Sequence, residues 1–363
     1  MKILIVDTVS FNRAPYLKWY IDACKKNNVD FDLFLWDRTK TSHFEKDGNM
    51  FVFHHKCEFG GNKIKKILPM ILYRKKLLQT IKIGQYTHLI LINTLAAVMI
   101  SNFVLNNFDG KYIMDIRDYT YEKYEIYQKI ENKLIEHSAF TTLSSRGFFK
   151  FIKSNNKIII NHNIGKTDFK IERPTLNTSD VVRIGFIGSV RYKKENLNLI
   201  NALGNNNGYK LVYIGEHVAG CNLESECIKN KIKNVNFIGK YNNNDKPQLY
   251  QNVDIINSLY GNFSLETTTA IPNRLYDALL YKKPIITTEN TYLSEVVKKY
   301  GLGISLPGCQ DYSRDEYIKK IEQYLECFNP DEFVNNANEL LEIILEEQKI
   351  FCEQVDKFVQ NLS

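Results

Sequence analysis

The stretch IPNRLYDALLYKKPIITT, residues 271–288, decides how the chain is to be read. Leu275, Ala278 and Leu279 recur at helical spacing, so one face of a helix packs inward. Pro272 stands at its start, where a missing N–H costs nothing and the fixed φ suits a first turn. Pro284 ends the helix, and the apolar run after it reads as a buried strand. A helix begun in this way turns the amides of Asn273, Arg274 and Leu275 outward, and such amides bind phosphate. Asp277 lies about one turn in. Its carboxylate can accept hydrogen bonds from two vicinal hydroxyls, such as those of a ribose, or it can simply complement the helix dipole. The stretch is either a plain surface helix of an α/β domain or part of a pocket for a nucleoside diphosphate.

The surrounding chain narrows the choice. At 363 residues it exceeds one ordinary core and implies two domains. Its 44% hydrophobic and 25% charged residues are those of a folded protein in water. A net charge of +7 permits an anionic partner without calling for nucleic acid. Seven cysteines are scattered with no CxxC pair, as expected for reduced thiols in the cytoplasm. Cys221 and Cys227 are closest together, and no His or carboxylate set accompanies them, so no metal site is expected. The opening MKILIVDTVS lacks the features of a signal peptide. The longest apolar stretch, residues 87–105, is interrupted by Asn93 and Asn102 and reads as a strand followed by a helix.

Short apolar runs alternate with amphipathic segments in both halves. KILIVD, FDLFLW, LILIN, KYIMDIRD and FTTLSS form one series; VVRIGFIG, YKLVYIG, VNFIG, VDIINSLY, KPIITT and GLGISL form another. This is the grammar of two doubly wound, Rossmann-like parallel sheets of α/β class. The expected plan is an N-terminal domain over 1–165, a linker over 166–181, a second domain over 182–340, and a C-terminal helix over 341–363 packing back on the first domain. Two such sheets should face each other across a cleft. Ligands in these folds sit beyond the carboxyl ends of the strands, so chemistry is sought just after each strand. After VVRIGFIG, Gly188 lets the backbone turn, and Arg191, Lys193 and Lys194 precede the next helix. Cations at a helix start are unfavourable unless an anion is bound there; otherwise they are solvated charges on a surface loop. Gly215 and Gly239, with Lys240 after them, stand at the equivalent strand ends.

With these residues in view, the second half resembles the donor-binding domain of GT-B glycosyltransferases, in particular the retaining family 4 group that builds capsular and other surface polysaccharides. PNRLYDAL is similar to a variant motif of that group. The resemblance implies that Arg191 and Lys194 (or Lys193) contact the donor diphosphate, that Gly188, Gly215 and Lys240 line the donor loops, that Pro272, Asn273 and Arg274 form the anion-binding helix start, and that Asp277, seven residues before Pro284, holds the ribose. The chain departs from the pattern in three places. Asp277 stands where Glu is usual, so its reach is one methylene shorter. Thr269 stands where a first acid is usual, with Glu266 three residues earlier, and Lys282 stands where Gly is usual. Both Glu266 and Thr269 are counted as donor-site candidates.

In the first half, Arg13 in the loop TVSFNRAP is the candidate for an acceptor phosphate. DIRDY resembles the strand end before the family's active-site loop. That implies Asp118 as the catalytic group orienting the acceptor, with Arg117 supporting it. His162 and Asn163, in IIINHNIG, are expected to be structural. Residues 59–108 contain seven Lys or Arg and no acid, and over 63–82 the cations interleave with Ile, Leu, Met and Tyr. Anionic lipid attracts such a segment at roughly 1 kcal/mol per cation near the surface, so peripheral contact at the inner face of the cell membrane is expected.

The activity implied is metal-independent transfer of a hexosyl group, with retention, from a nucleoside-diphosphate sugar (UDP favoured over GDP) to a glycan or lipid-linked acceptor. No cofactor is expected. A nucleotide-sugar epimerase and an inactive relative serving as a binding or scaffold subunit are the alternatives. A nicotinamide dehydrogenase is disfavoured because neither half supplies GxGxxG.

Overall fold

The structure, a computed structural model, describes residues 2–40, 43–57, 64–153, 155–164 and 181–361. The expected linker, apart from Val181, lies outside the described residues. The chain forms two compact units, Met1–Gly165 with Leu345–Ser363, and Lys166–Ile344.

The first unit is built on an eight-stranded sheet. In chain order its strands are β1 (Lys2–Val6), β2 (Asp30–Asp37), β3 (His43–Asp47), β4 (Met50–His54), β5 (His88–Ile92), β6 (Tyr112–Ile116), β7 (Phe140–Leu143) and β8 (Ile158–Ile160). They lie in the order β3-β4-β2-β1-β5-β6-β7-β8, all parallel except β3, which runs antiparallel to β4. The second unit has β9 (Val182–Ile187), β10 (Tyr209–Ile214), β11 (Val235–Ile238), β12 (Ile255–Asn257), β13 (Ile285–Thr288) and β14 (Gly303–Leu306). Its order is β11-β10-β9-β12-β13-β14, parallel throughout. The expected pair of doubly wound sheets is therefore present.

Leaving β3 aside, both sheets follow one scheme. The chain works outward from the first strand, returns past it, and continues on the other side. The reversal falls between β1 and β5 in the first unit and between β9 and β12 in the second. At such a point the flanking connections leave on opposite faces and open a crevice beyond the strand ends.

The central strands β1, β5 and β6 are buried but for Lys2 and His88, as strands covered by helices on both faces require. In the first unit the core gathers Ile3, Ile5, Leu17, Tyr20, Ile90 and Ile113 with Phe351, Val355, Phe358 and Val359 from the last helix, Pro330–Gln360. Phe351 meets Tyr20 edge-on at 5.5 Å, a geometry that adds to plain burial. In the second unit the core joins Ile184, Phe186, Leu199, Leu211, Tyr213 and Ile286.

The helix Ile64–Gly84 packs through Tyr73, Leu77 and Ile81, four residues apart; Tyr73 stacks on Trp36 with centroids 4.7 Å apart. Its other face, near the start, leaves Ile64, Ile67, Leu68 and Ile71 more than half exposed. No helix among the described residues is long and apolar enough to cross a membrane.

Candidate functional site

In the second unit, the loops beyond β9 and β12 converge on Arg274. Arg274 is the second residue of the helix Asn273–Tyr281 and is buried. Its guanidinium lies 3.8 Å from the ring centroid of Phe186 and 5.0 Å from that of Tyr260, so it stacks between a β9 residue and the loop after β12. One terminal nitrogen donates to Tyr260 Oη at 2.7 Å, while Nε and the other terminal nitrogen have no hydrogen-bond partner. That unpartnered nitrogen lies 3.8 Å from where a Cβ on Gly188 would stand. A buried guanidinium with unmet donors is costly, and an anion at the end of β9 would satisfy it.

The β9 loop is shaped for close approach. Gly188 has φ 135, and Tyr192 is held left-handed at φ 57, ψ 62, a strained position for a bulky residue. The Asn196 side chain secures the turn by donating to the carbonyls of Arg191 and Tyr192 at 2.8 and 3.0 Å. Tyr192 packs on Tyr260 with centroids 4.7 Å apart. Burial pushes its phenol up to about 12; Tyr260 and Glu266 add to the shift, and Arg191 and Arg274 oppose it. Those four residues therefore surround Tyr192. Arg191 and Lys194 are exposed. Lys193 is paired to Glu226 at 2.7 Å and Lys240 to Glu216 at 3.1 Å. Gly215, at φ 136, has a packing reason for its identity: a Cβ there would stand 2.0 Å from the Gly188 carbonyl oxygen.

The helix start differs in detail from the expectation. Pro272 is the N-cap, not the first helical residue, and its carbonyl accepts the Leu275 N–H at 3.0 Å. That removes Leu275 from the three amides expected to meet an anion. Asp277 is buried, and its carboxylate is already engaged, by Lys246 Nζ at 3.0 and 2.9 Å and by Tyr250 Oη at 2.8 Å. Glu266 is exposed in the short helix Leu265–Thr269, while Thr269 is buried and donates its hydroxyl to the Leu265 carbonyl. Lys282 caps the helix left-handed at φ 51, ψ 51, which explains why glycine is favoured at this place. It is buried with no partner for its Nζ, and burial pushes its ammonium down to about 8.

In the first unit the polar residues gather where β1 and β5 diverge. Asp7, just after β1, is fully buried; it accepts from the Thr8 N–H at 2.6 Å, Tyr16 Oη at 3.0 Å and Asn93 Nδ2 at 2.7 Å. Asn93, just after β5, holds φ 65 and ψ 134, so a strained residue closes the crevice between the two strand ends. Burial pushes the Asp7 carboxyl up to about 7, against the lowering pull of those hydrogen bonds. Next to it, Arg117 stacks on Tyr16 at 4.3 Å and pairs with Asp115 at 3.0 Å.

The structure does not join Arg117 to Asp118. Arg117 turns inward to Asp115, whereas Asp118 is exposed beyond β6. Arg13 is exposed on the loop after β1. His162 lies 2.6 Å from Glu347 on the last helix. Asp7, Asn93, Tyr260 and Lys246 are functional candidates that motif reading passed over. The rule that ligands lie just past the strand ends points to Asp7, Asn93 and Tyr260; no local signal marks Lys246.

The two units together define a GT-B fold. Residues 168–340 match the family described as Glycosyl transferases group 1. Among solved structures, sucrose-phosphate synthase from Thermosynechococcus elongatus aligns over 100% of this chain and 94% of its own, at 12% identity and a TM-score of 0.67. HepE from Anabaena, solved in complex with UDP, aligns over 98% and 100%, at 15% identity and a TM-score of 0.67. The apo lipopolysaccharide outer core galactosyltransferase WaaB aligns over 98% and 99%, at 14% identity and 0.63. At these identities the likeness is one of fold. No curated protein matches the sequence.

Proposed function

We propose that the protein is a retaining glycosyltransferase that moves a sugar from a nucleoside-diphosphate donor, UDP in preference to GDP, to a hydroxyl of a glycan or lipid-linked acceptor in surface polysaccharide synthesis. The observation that carries this reading is Arg274, a buried cation with unmet donors beside Gly188 at the reversal point of the second sheet. The family match over the same unit and the UDP held by HepE support it.

In this reading the donor diphosphate lies against Gly188, with Arg274 on its buried side and Arg191 and Lys194 on its open side. As the glycosidic bond breaks, negative charge grows on the diphosphate, and these fixed cations stabilise it without a metal. The acceptor attacks on the face the diphosphate leaves, so configuration is retained. Asp277 meets the ribose with its one remaining acceptor position, or after Lys246 moves aside. Asp118 orients the acceptor hydroxyl, and Arg13 holds an acceptor phosphate. Thr269, its hydroxyl spent within its own turn, keeps a second reading open, that of a donor-binding relative that transfers nothing.

The test is thermal unfolding with UDP, GDP, CMP and NAD, on wild type and on Arg191→Ala, a change at an exposed position. Ligand at about 100 times its dissociation constant adds about 2.7 kcal/mol. Stabilisation by UDP that shrinks in Arg191→Ala is expected; no stabilisation by any nucleotide would end the donor-site assignment. Incubation with a UDP-sugar alone, followed by analysis of the sugar nucleotide, separates transfer from epimerisation.

The exposed face of the helix Ile64–Gly84 supports membrane contact as part of the same proposal. Ile64, Ile67, Leu68 and Ile71 follow the i, i+3, i+4, i+7 pattern, with Lys65, Lys66, Arg74 and Lys75 beside them. Apolar stripe and cations together fit an anionic lipid surface. Lys63 lies outside the described residues. The protein is expected to float with vesicles containing phosphatidylglycerol and not with neutral ones. Ile67→Glu with Ile71→Glu, both at exposed positions, should leave it at the bottom of the gradient; unchanged flotation of that variant would remove this helix from the contact.

A further inference from the structure

The edge hairpin of the first sheet carries a cluster that none of the sugar-transfer chemistry uses. β3 and β4 pair with His43 opposite His54, and Glu45 shares the face of His43 two residues along. One donor atom from each of His43, Glu45 and His54 lies within 4.8 Å of the other two. His54 Nε2 is 3.1 Å from Glu45 Oε2, and His43 Nε2 is 4.0 Å from the same oxygen. The two rings stack with centroids 3.9 Å apart.

Behind this trio stands a carboxylate. His54 is buried, and its Nδ1 lies 3.2 Å from Asp37 Oδ2. The other oxygen of Asp37 accepts the backbone N–H and hydroxyl of Thr39 at 3.0 and 2.7 Å, which fixes its orientation. His54 thus faces carboxylate oxygens from both ring nitrogens. A neutral imidazole has one N–H and can serve only one of them. With that hydrogen on Nδ1 toward Asp37, the Nε2 lone pair points at an oxygen of Glu45. Two lone pairs 3.1 Å apart repel unless a cation lies between them, and the cation is either a proton or a metal ion.

We propose that His43, Glu45 and His54 form a binding site for a divalent transition metal, Zn2+ being the best match, with Asp37 as the positioning residue. Two imidazoles and one carboxylate are a transition-metal set with too few oxygens for Ca2+ or Mg2+. The Asp37–His54 pair is the arrangement that sets the tautomer and raises the basicity of a metal-bound histidine. Ligand atoms about 2.1 Å from a tetrahedral ion stand roughly 3.4 Å apart. The His54–Glu45 side meets that already, and the His43 side closes by movement of an exposed ring. A fourth position stays open to water. The ion ties the polar strand β3 to β4 at the sheet edge, where a strand lacks a second neighbour.

The test uses the full chain, stripped with a chelator and titrated with Zn2+ by calorimetry and with Co2+ by absorption. His43→Ala and Glu45→Gln alter exposed positions and leave the core intact; Asp37→Asn tests positioning. Wild type is expected to take one ion, raising its Tm. His43→Ala should weaken binding about 100-fold or more, and Asp37→Asn by roughly 10- to 100-fold. The Co2+ spectrum should lack a thiolate charge-transfer band. Equal affinity in His43→Ala would place the ion elsewhere, a thiolate band would assign it to cysteines, and either would overturn the proposal. Absence of binding by wild type would overturn it as well, leaving a proton as the shared cation.

Discussion

Arg274→Ala is expected to lose donor binding while unfolding at nearly the wild-type temperature. The guanidinium has two nitrogens without partners, so little hydrogen bonding is lost with it in the empty protein. What goes is its stacking on Phe186 and one bond to Tyr260, a loss set against relief from burying a charge. The net change should fall within about 1 kcal/mol of zero. Binding is a different matter. Hydrogen bonds to a charged group contribute about 1.5–3 kcal/mol each, so losing those to a diphosphate should weaken UDP on the order of 100-fold, and turnover by a comparable factor. Arg274→Lys keeps the charge without the fork and should fall between the two. Calorimetric titration with UDP and a melting curve without ligand check both halves. A variant that melts far below wild type yet binds UDP normally would make Arg274 a structural residue.

Asp115→Ala should be the most destabilising of the changes considered. Asp115 is fully buried in the middle of the first sheet and accepts four hydrogen bonds, from Tyr20 Oη at 2.9 Å, Arg117 Nε at 3.0 Å, Thr142 Oγ1 at 2.6 Å and Asn161 Nδ2 at 3.3 Å. Removing it strands Arg117 as an unpaired buried charge, which costs about 3–5 kcal/mol. For a unit of this size that corresponds to a fall in Tm of roughly 10 °C. Adding Arg117→Met to the same variant should recover much of the loss, because an apolar pair of similar volume often matches a buried ion pair. If Asp115→Ala melts within a degree of wild type, the network contributes nothing to stability and its residues are free to act in chemistry.

The fold was legible because both sheets bury their strands on two faces, so most central strands are written as apolar runs, with Asp115 in β6 a buried exception. Three strands fall outside the expected series, β3, β4 and β8. β3 reads HFEKD, almost wholly exposed, and an edge strand with one neighbour and a wet face carries no such signal. Its only local mark is Gly48 at φ 56 in the tight turn to β4. The site was legible in part. PNRLYDAL marked a helix start, and the glycine at the end of β9 marked a turn. The partners of those residues come from far along the chain. Lys246 reaches Asp277 across 31 positions, and Phe186 lies beneath Arg274 across 88. Neighbours in sequence mislead in the opposite way: Arg117 and Asp118 are adjacent, but successive side chains leaving a strand point apart, so Arg117 finds Asp115 instead.

The last helix has a consequence for the order of assembly. Pro330–Gln360 is one unbroken helix whose residues to Ile344 belong to the second unit and whose later residues belong to the first. On the ribosome, N-terminal domains ordinarily fold first. Here residues 1–165 emerge without Phe351, Val355, Phe358 and Val359, which close their core against Tyr20 and Ile90. The second unit, continuous from 166 to 344, can finish while the first still waits. The core of the first unit thus closes only with residues made after the whole of the second unit.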